Sequence, residues 1–341
     1  GCHENHLLPR SLPWPAIAAA LPAFLVSRTV VTGAGRVGIG QHGTRPGYQL
    51  SQRADFFETV EGVQTTRRRP LLNTRDEPHA PPAAYRRLHV ITGDANRTPF
   101  TTWLKAGTLA AFLGALVGGE APVVGLADPL AALHTTSHDT TLLAPLVLAD
   151  GSRVTSLDLQ ERFWEAITAA AARRPEAFEA DVVAAWGEVI GDLRSDPSRC
   201  ADRLDWVAKR DLLDAYAARH RLDWTSPRLA QVDLAWARLD RPGPWDTLAS
   251  AGRFRTVVSA DDVSEAGLVP PSDTRAWTRG RVVALAAERV TAAAWDWLEV
   301  RDLVGLGRRV DLAEPLGHTR AVVGDLTAAA DLARLLRSRA W

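Results

Sequence analysis

Asn73-Thr74-Arg75-Asp76-Glu77-Pro78-His79-Ala80, followed by Tyr85-Arg86-Arg87-Leu88-His89-Val90, is the stretch whose reading decides the fold of this chain. It packs arginines, histidines and acids together and then enters a β-branched run, Val90-Ile91, fit for a buried strand. Residues two apart on a strand share a face. Leu88 and Val90 therefore turn to one side, and Arg87 and His89 to the other. A guanidinium held beside an imidazole on a sheet face suits a phosphate group.

Working outward, residues 1–100 read as strand-rich, with strands expected over 24–32 and 48–52 and Gly/Pro turns over 33–47. From Thr101 the texture is helical: Trp103, Leu104, Leu109, Phe112 and Leu116 approximate an apolar helical stripe. Thr155-Ser156-Leu157-Asp158 matches a capping box and starts another helix. Further helices are expected over 176–194, 207–220 and about 280–299, with a last one ending in Leu332, Leu335 and Leu336. Pro-rich breaks at Arg241-Pro242-Gly243-Pro244 and Val269-Pro270-Pro271 suggest a change of module. The boundary is placed near Pro242, giving a larger domain over 1–242 and a small one over 243–341.

Composition bounds the function. With 46% hydrophobic residues, the 341-residue chain can bury a large core. Its 40 basic and 40 acidic side chains balance, which argues against a generic nucleic-acid binder, since attraction to phosphate polymers needs a basic excess. Lys105 and Lys209 are its only lysines. Two cysteines, Cys2 and Cys200, are too few for a disulfide framework or a zinc site, so a reducing cytoplasm is expected. No signal peptide is read at the start. The most apolar stretch, 109–117, reads as a buried helix too short for a membrane span. The chain contains no methionine and opens on Gly1-Cys2-His3-Glu4-Asn5, which leads us to expect a fragment or a processed product.

Three motifs carry less than their pattern suggests. Gly33-Ala34-Gly35-Arg36-Val37-Gly38 fits GxGxxG, but Gly40, Gly43, Pro46 and Gly47 follow where a dinucleotide site needs a helix; a turn between strands is the better reading. His134 and His138 have the spacing of a helical metal pair, yet Thr135, Thr136 and Ser137 between them are poor helix formers. Surface histidines are expected there. His3 and Asn5 flank Glu4 and would share one face of a strand. GxSxG, the P-loop and CxxC are absent.

Taken together, Gly1-Cys2-His3-Glu4-Asn5, residues 22–35, Leu50-Ser51-Gln52-Arg53-Ala54-Asp55, 73–80, 85–90, Gly93-Asp94-Ala95-Asn96, Leu104-Lys105-Ala106-Gly107-Thr108 and Thr274-Arg275-Ala276 resemble the family of depupylases/deamidases and ligases acting on the prokaryotic ubiquitin-like protein Pup. Val26-Ser27-Arg28, Val30-Val31-Thr32-Gly33, residues 35–40 and 46–51, Leu204-Asp205-Trp206 and Ser226-Pro227-Arg228-Leu229 look more like the depupylase branch than the ligase branch. The resemblance implies an α+β fold: a glutamine-synthetase-like, curved, mainly antiparallel sheet with flanking helices, incomplete at its N-terminus, plus a small C-terminal domain. It implies ATP and Mg2+ as cofactors, Pup and pupylated proteins as partners, and neither nucleic acid nor membrane.

Carried over residue by residue, the resemblance assigns His3 and His89 to the magnesium site and Asn5 and Arg87 to the nucleotide. Trp295 is assigned to the adenine pocket. Histidine is an unusual magnesium ligand, because that hard ion prefers oxygen. Arg53 and Arg75 are candidates for Pup's terminal carboxylate or a phosphate; equally, they could form ion pairs with Asp55 or Asp76. No catalytic residue is assigned, because the family's aspartate and magnesium-binding glutamates belong to strands preceding Gly1. The implied activity is nucleotide-dependent hydrolysis of the Pup–lysine isopeptide bond and deamidation of Pup's terminal glutamine, with this chain alone expected to be inactive. An ATP-dependent Pup–protein ligase and a non-catalytic Pup- or nucleotide-binding fragment are the alternatives.

Overall fold

A computed structural model describes residues 1–302, 305–328, 331 and 333–335. It divides into two compact units: unit 1 comprises Gly1–Leu8, Leu12–Asp76 and Arg87–Val257, and unit 2 comprises Pro9–Ser11, Glu77–Arg86 and Val258–Trp341. The division falls at Val257 rather than at Pro242, so residues 243–257 cluster with unit 1.

Unit 1 opens with β1 (Cys2–Pro9), whose burial alternates: Cys2, Glu4, His6 and Leu8 turn inward while His3, Asn5 and Leu7 turn outward. Next come two helices, α1 (Trp14–Ser27) and α2 (Thr29–Thr32), where strand was expected over 24–32. Pro13 at the N-cap and Pro15 in the first turn start α1, and from Leu21 to Ser27 every residue is buried. A helix enclosed on nearly all sides needs no amphipathic stripe, so its apolar run cannot be told from a buried strand by periodicity.

A hairpin follows, β2 (Arg36–Ile39) against β3 (Arg45–Gln49), antiparallel. The GxGxxG residues therefore lead into a strand and not a helix, but they follow helix α2, so the turn joins a helix to a strand rather than two strands. A side chain at Gly33 would strike the Leu50 carbonyl at 2.3 Å, and Gly35 adopts a positive φ of 70°. The glycines serve chain packing.

Next come β4 (Phe57–Gly62), β5 (Arg69–Asn73) and β6 (Tyr85–Gly93), which form a sheet of order β1-β6-β5-β4. Asn73 of β5 pairs antiparallel with His89, whereas β4 and β5 run parallel. Residues 63–68 return the chain between them, held by Thr59 Oγ1 donating to the Arg68 carbonyl and Asn73 Nδ2 donating to that of Gln64.

Helix α1 lies against β5 and α4 (Pro129–His138) against β4, while α3 (Pro99–Val117) packs on α2 and on the helices that follow. By length and composition α3 could cross a membrane, but here 61% of its apolar window is buried inside the protein. A short hairpin, β7 (Leu146–Val147) and β8 (Arg153–Val154), leads to α5 (Ser156–Arg173) and α6 (Ala180–Ser195). The capping box at the start of α5 is formed reciprocally by Thr155 and Asp158. Phe24, Phe112, Phe163 and Trp186 meet at the centre of the core, with Phe24 stacked on Phe112 at 4.4 Å. Unit 1 closes with α7 (Asp205–His220), α8 (Pro227–Trp236) and α9 (Pro244–Ser250).

Both lysines are interior. Lys105 Nζ donates to the Asp94 carbonyl (2.9 Å) and to Asn96 Oδ1 (2.8 Å). Lys209, fully buried, donates to the Gly35 carbonyl and pairs with Asp233 at 2.7 Å. Cys200 is buried and free, its thiol raised by burial to about 12.

Unit 2 contains α10 (Ala260–Ala266), α11 (Ala276–Ala286), the antiparallel meander β9 (Val290–Ala293), β10 (Trp297–Arg301) and β11 (Gly307–Asp311), and α12 (Arg320–Val323). The helix expected over 280–299 is thus corrected: it stops at Ala286, and Leu298 and Val300 of β10 alternate inward with exposed Glu299 and Arg301. Of the residues expected to end a last helix, Leu335 is buried, while Leu332 and Leu336 lie outside the described residues.

Candidate functional site

Strand alternation makes the outer face of β1 and β6. His3 and Asn5 project from β1, and Arg87 and His89 occupy same-face positions on β6; His89 is buried, as are Leu88 and Val90. His89 Nε2 lies 3.3 Å from His3 Nδ1, with the rings edge-on at 5.1 Å. One proton fits between those nitrogens. Burial, followed by the repulsion of Arg53, pushes His3 below the ordinary histidine range, so neutral His3 beside His89 is the favoured state at neutral pH. Arg87 Nη2 donates to the Arg75 carbonyl at 3.1 Å, and its backbone N–H donates to Asp76 Oδ1.

Beside His3 opens a cleft of about 400 Å³ lined by Gly1, His3, Arg53, Phe56, Thr65, Thr66 and Arg69. No carboxylate lines it. The Arg53 guanidinium lies 5.8 Å from the Phe57 ring centre, and the Arg69 guanidinium 5.6 Å from that of Phe56. Burial, with repulsion from Arg69, lowers Arg53 from its ordinary value. Two guanidiniums facing one opening, with hydroxyls between them, favour an anion with several oxygens, a phosphate above all.

The structure gathers His3, His89, Asn5, Arg87 and Arg53 on or beside one sheet. Arg53 does not pair with Asp55. Asp55 instead accepts from His138 Nε2 (2.6 Å) and Gln49 Nε2 (2.7 Å), which hold it below the ordinary carboxylate range although burial works to raise it. His138 is therefore half-buried and paired, not a surface residue. It sits on a helix despite Thr135, Thr136 and Ser137 because Asp128 caps α4 and its Leu133, Thr136 and Ser137 side is buried. Arg75 is exposed just past β5, its N–H donating to Asn73 Oδ1. Trp295 belongs to unit 2, is 61% exposed, and lies near His79 and beneath Arg279.

Among the described residues no group of three His, Cys, Asp or Glu could hold a metal ion. Two imidazoles flanked by guanidiniums are a poor set for Mg2+, which prefers oxygen. The residues present do not make a magnesium site by themselves. Arg69 was missed from the sequence; the signal was a basic run, Arg67-Arg68-Arg69, entering the buried Pro70-Leu71-Leu72.

The profile of the Pup-ligase protein family matches residues 1–299. The chain is 43% identical to the Pup deamidase/depupylase of Mycobacterium tuberculosis (strain H37Rv), over 98% of this chain and 67% of that relative. To the Pup–protein ligase of Nakamurella multipartita it is 39% identical, over 94% and 71%. The solved Pup ligase PafA in complex with ADP superposes with a TM-score of 0.83 at 33% identity, over 94% of this chain and 72% of that one. PafA in complex with Pup gives 0.81 at 32%, over 98% and 68%. An α+β fold, matched to the family over residues 1–299 in sequence and to a solved member in structure, places this chain in the Pup-ligase family.

Proposed function

We propose that the chain is the nucleotide-binding part of a cytoplasmic enzyme that hydrolyses the isopeptide bond between Pup and a substrate lysine and deamidates Pup's terminal glutamine. The observation that carries this reading is the carboxylate-free cleft of Arg53, Arg69 and His3 in a fold shared with an ADP-bound Pup ligase. The higher identity to a deamidase/depupylase than to a ligase favours hydrolysis over bond formation. The cleft's guanidiniums would hold the phosphates, and the face carrying Arg87 and Asn5 would orient them.

Amide hydrolysis also needs an activated nucleophile and a stabilised oxyanion. Of the residues lining the cleft only His3 could take a proton from water, and no carboxylate stands in the cleft to orient it. Residues 1–341 are therefore expected to bind ADP in a calorimetric titration and to release no Pup from a pupylated substrate. Clear release of Pup by this chain alone would overturn the need for a further carboxylate. In a protein that also supplies it, release of free Pup identifies the hydrolase. New conjugates with consumption of ATP would identify the ligase, and ADP binding with neither activity a binding protein. Arg87→Ala is expected to weaken ADP binding by about 1.5–3 kcal/mol, the worth of a charge-assisted hydrogen bond; unchanged affinity would make Arg87 purely structural.

A further inference from the structure

Arg53 stands on a short turn whose conformation is fixed from below. Ser51 Oγ accepts the N–H groups of Arg53 (3.0 Å) and Ala54 (3.1 Å), which occupies both of its lone pairs. Its own hydrogen goes to Asp94 Oδ1 at 3.0 Å. Asp94 Oδ2 accepts from Gln52 N–H (3.0 Å) and Ala34 N–H (2.9 Å). Behind Asp94, Lys105 grips its backbone carbonyl. From the other side, Ser137 accepts Leu50 N–H at its carbonyl and Ser51 N–H at its hydroxyl. Ser51, Asp94, Lys105 and Ser137 are all buried.

We infer that Ser51 and Asp94 are positioning residues which, through the hydroxyl of Ser51, set the backbone of Arg53 and so aim its guanidinium into the cleft. This inference rests on the reading of that cleft as the phosphate site. Every hydrogen-bonding group of the two side chains is paired. Burial raises Asp94 above the ordinary carboxylate range, opposed by the Ala34 and Gln52 amides and the Ser51 hydroxyl. The carboxylate is required for a geometric reason too. In Asp94→Asn the amide oxygen can still serve the Ala34 and Gln52 amides, but the NH2 group then faces a Ser51 oxygen with no lone pair left.

The test uses residues 1–341 and two readouts. Hydrogen exchange at the Arg53 and Ala54 amides reads the positioning without any ligand, and calorimetry with ADP reads its consequence. Ser51→Ala is expected to raise exchange at both amides while α5 stays protected, and to weaken ADP binding roughly tenfold, the scale of one net hydrogen bond. Ser51→Thr, which keeps the oxygen, is expected to restore both. Asp94→Asn is expected to match Ser51→Ala, which keeps the question open to test if either variant folds poorly. In the double variant Ser51→Ala/Arg53→Ala, affinity is expected to equal that of Arg53→Ala alone. Unchanged protection at Arg53 and Ala54 in Ser51→Ala, or losses that simply add in the double variant, would overturn the positioning role. Unchanged ADP affinity in Arg53→Ala would instead overturn the reading of the cleft, leaving the exchange result to judge the positioning by itself.

Discussion

Arg28→Met is expected to lower the unfolding free energy by about 3–5 kcal/mol at neutral pH, the usual cost of stranding one member of a buried ion pair. Arg28 Nη2 donates to Glu4 Oε1 at 2.6 Å and Nη1 to Oε2 at 3.2 Å, with side chains only 2% and 8% exposed. Burial alone would raise the Glu4 carboxyl; Arg28, aided by the nearby His6 ring with its Nε2 3.9 Å from Glu4 Oε2, instead holds it at about 2, against an ordinary 4.5. A carboxyl depressed by folding contributes stability that is present above the unfolded value and lost as pH falls through the folded one. That gap corresponds to roughly 3 kcal/mol, lost between about pH 4.5 and 2. In the variant the stranded carboxyl gains by taking a proton, so the deficit relative to the parent should narrow over that window. Urea titrations at a series of pH values read this directly. A deficit that stays constant with pH would show that packing, not charge, is what Arg28 contributes. Because Glu4 anchors the inner side of β1, the outward placing of His3 and Asn5 depends on the same pair.

The second large effect is expected at Phe24. Its ring is fully buried, stacked on Phe112 and edge-on to Phe163 and Trp186 at 5.6 and 6.0 Å. Phe24→Ala leaves a cavity among three rings and should cost about 3–5 kcal/mol. The neighbouring polar bridge limits relaxation: Trp186 Nε1 donates to Gln160 Oε1, and Gln160 Nε2 donates to Ser27 Oγ. Closing the void would break bonds that have no water to replace them. Phe24→Leu should recover much of the loss. If Phe24→Ala unfolds at the parent's urea midpoint, the four rings do not form the centre of the core.

Where side chains alternate cleanly with backbone geometry, the structure was legible in the sequence. Arg87-Leu88-His89-Val90 showed its two faces, Thr155 and Asp158 announced the start of α5, and residues 176–194 and 207–220 carried a recognisable helical texture. The meander of unit 2 was also legible in principle, since Leu298 and Val300 flank Glu299. An Ala-rich run before it masked the change of period. The α1 helix was not legible, because a segment buried from Leu21 to Ser27 has no polar face to mark its turns. Nor was the helical setting of His138, where a cap at Asp128 and burial of Leu133 outweigh three poor helix formers. Contacts between distant segments were beyond reach: nothing local in Ser51 or Asp94 announces that they meet, and nothing in Arg67-Arg68-Arg69 tells which guanidinium enters the cleft.

The burial of both lysines has a chemical consequence for the exterior. Each ε-amine is enclosed and already donating to carbonyls or carboxamide and carboxylate oxygens, so reagents that acylate amines find no lysine side chain at the surface of the folded chain. The outward cationic character comes instead from guanidinium and imidazole. Guanidinium keeps its proton into strongly alkaline solution and presents a flat, forked set of donors. Such a coat can grip oxyanions at many points while remaining closed to amine chemistry.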